Sequence, residues 1–447
     1  MTSSYLRRVK RPLCCPARRT KILIMPPQHI NGSPLIKTAE KKSLLVESGQ
    51  LNGNSGSFES VGRRTPAQWF RKYFWEGQKL HGHGEKQKNC PNATFEQKFL
   101  SKHQNFVAVL IPFCVAQFIW WTAAVKYNFF SLYSTYWQMP VTMIVGSIIA
   151  GMTSEGGGAV AFPVMTFILH TKPHTARDFS IMIQAIGMSM SFFVILFMRI
   201  QIEWRAIFFG TAGAIPGAII GFALLEPLFS PQSEKMLFVS IWSSFALSLW
   251  ILNREKKRKT FPSIQHFNVW KSLILFLTGL IGGIFTSFAG SGVDICLFSI
   301  LTLLFNVSEK TATPTTVVLM ALNSQFCYYW RAVIMDEAIN ELAYNYIKVT
   351  VPITSICAPI GSFLGSHFHR QTLASLVYIL EIVAYVGFLF TKPSLQLVIP
   401  SILIIAFGYA FFRSISKCGK RLLQSDGAEM AENAMAKKAS EENLEEA

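Results

Sequence analysis

Residues Gly146 to His170 read GSIIAGMTSEGGGAVAFPVMTFILH, an apolar run interrupted by Ser154-Glu155-Gly156-Gly157-Gly158. Three consecutive glycines beside a carboxylate are a poor continuation for a helix, because glycine loses the most backbone freedom on ordering and adds no packing. In hydrocarbon an unpaired backbone N–H costs several kcal/mol, so such an interruption survives only when buried in protein or lining a wet cavity. The stretch predicts a hairpin of two half-helices held inside a larger membrane protein.

A second stretch repeats the design. Gly279 to Asn306 reads GLIGGIFTSFAGSGVDICLFSILTLLFN, with Thr286-Ser287 matching Thr153-Ser154 and Gly290-Ser291-Gly292 falling where Gly157-Gly158-Ala159 falls. Downstream, each copy has a small-residue helix start (Thr175-Ala176, Thr311-Ala312) and a Gly-x-x-x-Gly helix (Gly217 to Gly221, Gly361 to Gly365). Two interrupted apolar segments at corresponding places in two halves point to the binding site of a transporter.

The remaining chain supplies the spans. The 447 residues are 51% hydrophobic and 15% charged, with many apolar runs of the roughly 20 residues that cross a bilayer. The fold class is an all-α polytopic membrane protein with about 8–10 full spans plus re-entrant half-helices. The expected arrangement is an extra first span within 106–130, arms 138–153 and 158–170, then spans 178–199, 205–225 and 236–253. The second half gives arms 269–287 and 292–306, then 314–335, 344–366, 371–391 and 395–412. Repeat 1 thus occupies 138–253, a basic linker 254–268, repeat 2 with a last span 269–412, and an acidic tail 413–447.

Charge sets the orientation. The formal charge is +17, but the tail 1–105 holds nineteen Lys/Arg against six Asp/Glu, so +13 lies outside the spans and reports topology and contact with anionic inner-leaflet lipid, not nucleic acid. That tail reads as mostly disordered and cytosolic, with an interfacial aromatic segment, Trp69, Phe70, Tyr73, Phe74 and Trp75, interleaved with Arg71 and Lys72. Pro12, Pro16, Pro26 and Pro27 oppose a mitochondrial targeting helix, and Cys14-Cys15 is a weak acylation pattern. The basic run from Arg254 to Lys259 and Arg413, Lys417, Lys420 and Arg421 belong inside, with both termini, whereas Glu226 to Glu234 and Asp336 to Glu341 belong outside. The count closes only if the first hairpin enters from outside and the second from inside, which makes two inverted repeats. The sequons at Asn92 and Asn306 are then cytosolic and unused. The plasma membrane is the default location.

A helix restarting at mid-depth presents free N–H groups and about half a positive charge. Two such starts, Gly156 to Ala159 and Gly290 to Val293, would seat an oxyanion without a fixed cation. The candidate substrate-binding residues are Ser154, Gly156, Gly157, Gly158, Ser287, Gly290, Ser291 and Gly292, with Gln184 and Asn323 on the spans that follow the hairpins. Other polar residues there, Ser189, Ser191, Thr315, Thr316 and Gln325, serve either substrate or helix packing. Glu155, Asp294 and Glu381 are intramembrane acids and candidates for proton coupling. Asp294 is also placed to cap its helix, and Glu381 to pair with another span. Arg331 and Lys348 sit at span ends suited to snorkelling. Pro173 separates His170 from His174, and His81 and His83 stand alone, so no metal site and no cofactor is expected.

The residues Gly151-Met152-Thr153-Ser154-Glu155-Gly156-Gly157-Gly158 followed by Pro163, and Gly283-Ile284-Phe285-Thr286-Ser287-Phe288-Ala289-Gly290-Ser291-Gly292, resemble the TauE/SafE family of sulfite exporters, the four-toluene-sulfonate uptake permeases. The resemblance covers roughly Gln138 to Phe412 and implies a secondary transporter of sulfite, sulfonates or related small anions, not an enzyme. Cys296 stands where the aligned first copy has Pro163. Two rivals share the pattern. One is an anion channel or transport-dead receptor on the same fold. The other is an intramembrane serine hydrolase built on Ala289-Gly290-Ser291-Gly292 with His367 or His369 as base, and it lacks the motif's first glycine.

Overall fold

The computed structural model of the chain describes residues 95–153, 155–254, 259–335, 339–368 and 370–445. The expectations for the basic tail to residue 94, including its aromatic segment, Cys14-Cys15, His81, His83 and Asn92, lie outside the described residues, as do those for Ser154, Asp336 and His369.

Helix α1 (Phe95–Tyr127) contains the extra span, and a single turn at Tyr133–Tyr136 leads into α2 (Gln138–Met152), the first arm of the first hairpin. The second arm is α3 (Gly158–Pro163), continued by a π-turn at Val164–Ile168. Three longer helices follow: α4 (Pro173–Phe197), α5 (Trp204–Ile220) and α6 (Pro231–Arg254). The second half repeats the order with α7 (Val269–Ala289), α8 (Val293–Ser299) with a π-turn at Ile300–Leu304, α9 (Glu309–Tyr329), α10 (Glu341–His367) and α11 (Arg370–Phe390). The final helix is α12 (Leu395–Glu445). No strand occurs among the described residues; one isolated bridge joins Phe261 and Val307.

Among the described residues eight helices are long and apolar enough to span a bilayer, and the stretches Gly158–Ile168 and Val293–Leu304 are apolar but short. At about 1.5 Å per residue each covers roughly half of a ~30 Å core. The molecule is an integral multi-pass membrane protein. Helix α9 falls outside the eight although a span was expected at 314–335, because buried Thr315, Thr316, Asn323 and Ser324 lower its hydropathy. Helix α12 runs unbroken through the tail expected to begin at residue 413, as its Ala, Glu and Lys content favours helix.

Packing between the halves is reciprocal. A Cβ on Gly151 of α2 would strike the Ala358 carbonyl of α10, and one on Gly361 would strike the Ile148 carbonyl of α2. Likewise Gly213 and Gly217 of α5 lie against the Phe276 and Leu280 carbonyls of α7. The first arm of each hairpin therefore packs backbone to backbone on the Gly-x-x-x-Gly helix of the other half, where van der Waals contact replaces the hydrophobic drive that lipid removes. The extra span is fixed differently. Pro352 has no N–H for the Lys348 carbonyl one turn earlier, and the Trp120 indole of α1 donates to that carbonyl at 2.6 Å. Gln117 Nε2 adds a bond to the Pro352 carbonyl at 2.7 Å.

Candidate functional site

In the first break, Thr153 turns extended (φ −118, ψ 175), its hydroxyl donates back to the Ile149 carbonyl at 2.9 Å, and Gly156 takes the left-handed conformation at φ 74. Helix resumes at Gly158 with no side chain capping its N-terminus. In the second break, Gly290 is the left-handed residue (φ 77) and its N–H closes on the Thr286 carbonyl at 2.8 Å. Here the restart is capped. The Asp294 carboxylate accepts the Gly292 N–H at 2.8 Å and the Ser291 hydroxyl at 2.8 Å. Ser291 is thus bonded to a carboxylate, not to the imidazole a hydrolase would need.

The left-handed residues fix how the copies correspond. Gly156 matches Gly290, and the left-handed pair His170 (φ 51) and Asn306 (φ 52) closes the two second arms. Pro163 and Ser299 both directly precede a π-turn, so the counterpart of Pro163 is Ser299 and not Cys296. The glycine alignment of the sequence slips by one residue at the break for the same reason.

The two breaks meet. The Ser291 hydroxyl lies 3.5 Å from the Glu155 carbonyl, a link between segments 136 residues apart. The α4 side chains close the gap: a Cβ on Gly158 would lie 2.8 Å from Gln184 Nε2 and 3.1 Å from Ser180 Cβ, and one on Gly290 would lie 2.8 Å from Ser180 Cβ. Helix α9 supplies Met320, whose sulfur would sit 2.9 Å from a Cβ on Gly156, then Asn323, donating to Thr286 Oγ1 at 3.5 Å, and Ser324, donating to Gln184 Oε1 at 3.4 Å. Glu155 and Asp294 are fully buried, and Gln184, Ser291 and Asn323 nearly so. Both Glu155 carboxylate oxygens, Gln184 Nε2 and Asn323 Oδ1 have no hydrogen-bond partner among the described residues. Glu155 interacts electrostatically with Asp294, and buried Glu381 of α11 with Glu155. A cavity of about 60 Å³ has Thr153, Asn253, Glu309, Thr313 and Leu373 in its lining.

Ser287 does not join this group. Its hydroxyl bonds the Ile284 carbonyl at 2.7 Å and abuts Gly221. Gly157 faces Met143 rather than the opposite break. Gln325 bonds Ser189 Oγ and the Ala185 carbonyl, and Thr315 accepts the Glu203 N–H, all as ties between segments. Among the described residues no group of three His, Cys, Asp or Glu is arranged to hold a metal.

One charged cluster escapes a sequence reading. Arg331, expected to snorkel, is buried and grips Asp178 through two nitrogens at 3.2 and 3.0 Å. Buried Arg177 bonds the same carboxylate at 3.0 and 2.8 Å, pairs with Glu226, and donates to the Ser287 carbonyl at 3.2 Å. His174 Nδ1 lies 3.3 Å from Glu226 and 3.4 Å from Glu234. The only sequence signal is the adjacent Arg177-Asp178 inside an apolar span.

Comparison with known proteins agrees with the architecture. No curated protein and no solved structure matches the chain. The family model described as Sulfite exporter TauE/SafE matches residues 139–388, from the start of the first hairpin to the end of α11 and more than half of the chain. With its paired helix breaks meeting at a buried junction, the chain belongs to the TauE/SafE sulfite exporter family of membrane transporters.

Proposed function

We propose that the protein is a secondary transporter of a small sulfur oxyanion, sulfite or a sulfonate, which binds where the two helix breaks meet. The observation that carries this reading is the contact between the breaks at Ser291 and Glu155, lined by buried polar atoms without protein partners. The first break is the better seat for the anion. Its helix start at Gly158 has no side-chain cap, and Gln184 Nε2 stands beside it with hydrogens to donate. The second start already holds an anion, the Asp294 carboxylate.

The acids give the coupling. An ionised Glu155 beside the seat repels an incoming anion, so in this reading the anion enters with a proton on Glu155, and the electrostatic interaction of Glu155 with Asp294 and Glu381 supports these acids as its exchange partners. A proton and an anion then move together, and the anion's gradient is tied to the pH gradient.

The test is flux of sulfite and of a small sulfonate into liposomes under an imposed pH gradient, with wild type, Glu155→Gln and Gln184→Met. Wild-type flux should rise on acidification, by up to roughly tenfold per pH unit while the carboxyl stays mostly ionised. Glu155→Gln should transport without pH dependence, and Gln184→Met should raise KM with little loss of folded protein. Accumulation against a gradient distinguishes a transporter from a channel. Absence of flux for every anion in folded protein would sink the reading.

A further inference from the structure

We propose that the buried cluster of His174, Arg177, Asp178, Glu226, Glu234 and Arg331 is a latch that holds the second helix break in register, with Arg177 as the positioning residue and His174 as its proton-sensitive outer member. The cluster joins α4, the turn after α5, α6 and the end of α9, so it ties the two halves together beside the break.

Arg177 makes the connection to the site. Its Nη1 donates to the Ser287 carbonyl at 3.2 Å, just before the break. Its own carbonyl would lie 2.9 Å from a Cβ on Gly290, so the left-handed residue of the break rests on Arg177 backbone while the guanidinium holds the turn before it. The other guanidinium edges are fixed by Asp178 and Glu226, and the ring of Phe222 covers it at 5.3 Å. Moving any of these carboxylates therefore moves the group that aims the second break.

Charge counting identifies the sensor. Among the described residues the cluster holds two guanidiniums, Arg177 and Arg331, and three carboxylates, Asp178 and Glu226 paired with them and Glu234 beside His174, which leaves one negative charge in excess when all are ionised. His174 is the one member with substantial exposure, 40% for its side chain, and its Nδ1 lies within 3.4 Å of both glutamates. A protonated imidazole balances the cluster; a neutral one leaves buried Glu234 with no ion pair among the described residues. The groups that face it are Glu226 from the turn after α5, Glu234 from α6 and Arg177 from its own helix. Behind them stand Asp178, Arg331 in the turn Trp330–Ile334 that follows α9, and Tyr344 of α10. Lys235 is turned away to the Thr166 carbonyl at 3.3 Å. Protonation thus tightens the latch, and loss of the proton loosens it.

The latch lies at the second break whatever ligand the junction takes, and its importance for transport rests on the function proposed above. The experiment therefore needs no substrate: hydrogen exchange of the purified full-length protein, read as protection of residues 286–293 after correction for intrinsic rates, at about pH 6 and about pH 8, the range in which a histidine changes charge. Wild type should lose roughly tenfold in protection at the higher pH. Glu234→Gln removes the excess charge and should stay protected at both. His174→Gln should be weakly protected at both, and Arg177→Lys, which keeps the charge but loses the fork, should lose protection at both. A pH response in Glu234→Gln equal to that of wild type, or no response in wild type, overturns the proposal. A pH response retained in His174→Gln, or in His174→Asn should the first variant fail to fold, would put the proton on Glu234 and overturn the assignment of His174. If no anion is transported yet these differences hold, the latch stands and the transport reading falls.

Discussion

At the scale of single residues, the five glycines of the two breaks are not equivalent. Gly156 and Gly290 hold positive φ of 74 and 77, where an L side chain is strained, and both face atoms closer than 3.0 Å to any added Cβ. Gly157 is in the ordinary helical region, and the nearest atom to its added Cβ is Met143 Cε at 3.4 Å. Gly290→Ala should therefore cost about 1–3 kcal/mol and lower the Tm and the flux together, whereas Gly157→Ala should leave both near wild type. Thermal unfolding in detergent beside liposome flux measures the pair, and equal losses for the two variants would refute the distinction. The glycine run by itself marked a break, but not which glycine makes the turn, because that depends on φ and on the neighbour across the junction. Gln184 and Asn323 were legible as polar residues on apolar spans; that their partner-free atoms lie at the junction was not.

Among the elements, α10 shows how proline organises its surroundings. Pro352 leaves the Lys348 carbonyl without its helical partner, and Trp120 of the extra span supplies the donor at 2.6 Å. Trp120→Phe keeps most of the ring packing against Trp121 and Phe130 but removes the N–H, leaving a carbonyl unpaired in an apolar setting. The expected loss is about 1–2 kcal/mol, seen as a lower Tm, and it should shrink when Pro352→Ala restores the helical donor. A double-mutant cycle on these two positions checks the coupling; additive losses would mean that the indole acts through packing alone. The position of nearly every helix was readable from hydropathy, since an apolar run of sufficient length has few alternatives in a bilayer. The π-turns that end both second arms, the unbroken course of α12 and the pairing of Arg331 with Asp178 were not. The π-turns and the ion pair depend on contacts between segments far apart in sequence, for which periodicity carries no signal, and α12 continues on helix propensity after its apolar run has ended.

For the molecule as a whole, the question is how the two halves face the membrane. Each half closes its second arm with a left-handed residue, His170 or Asn306, and then starts the next helix after an extended residue, Lys172 or Ser308. Each lends its Gly-x-x-x-Gly helix to the first arm of the other. Reciprocal exchange of this kind fits a two-fold relation between halves, and the expectation from loop charge is an axis in the membrane plane, with the end of the first hairpin outside and that of the second inside. The exposed residues Lys172 and Lys310 mark these ends. In a background with the native cysteines replaced, Lys172→Cys should react with an impermeant maleimide in intact cells, whereas Lys310→Cys should react only after permeabilisation. Labelling of both from the same side would make the repeats parallel. The two breaks would then approach the junction from one face, and an alternating exposure built on rocking one half against its inverted partner would have no structural basis in this chain.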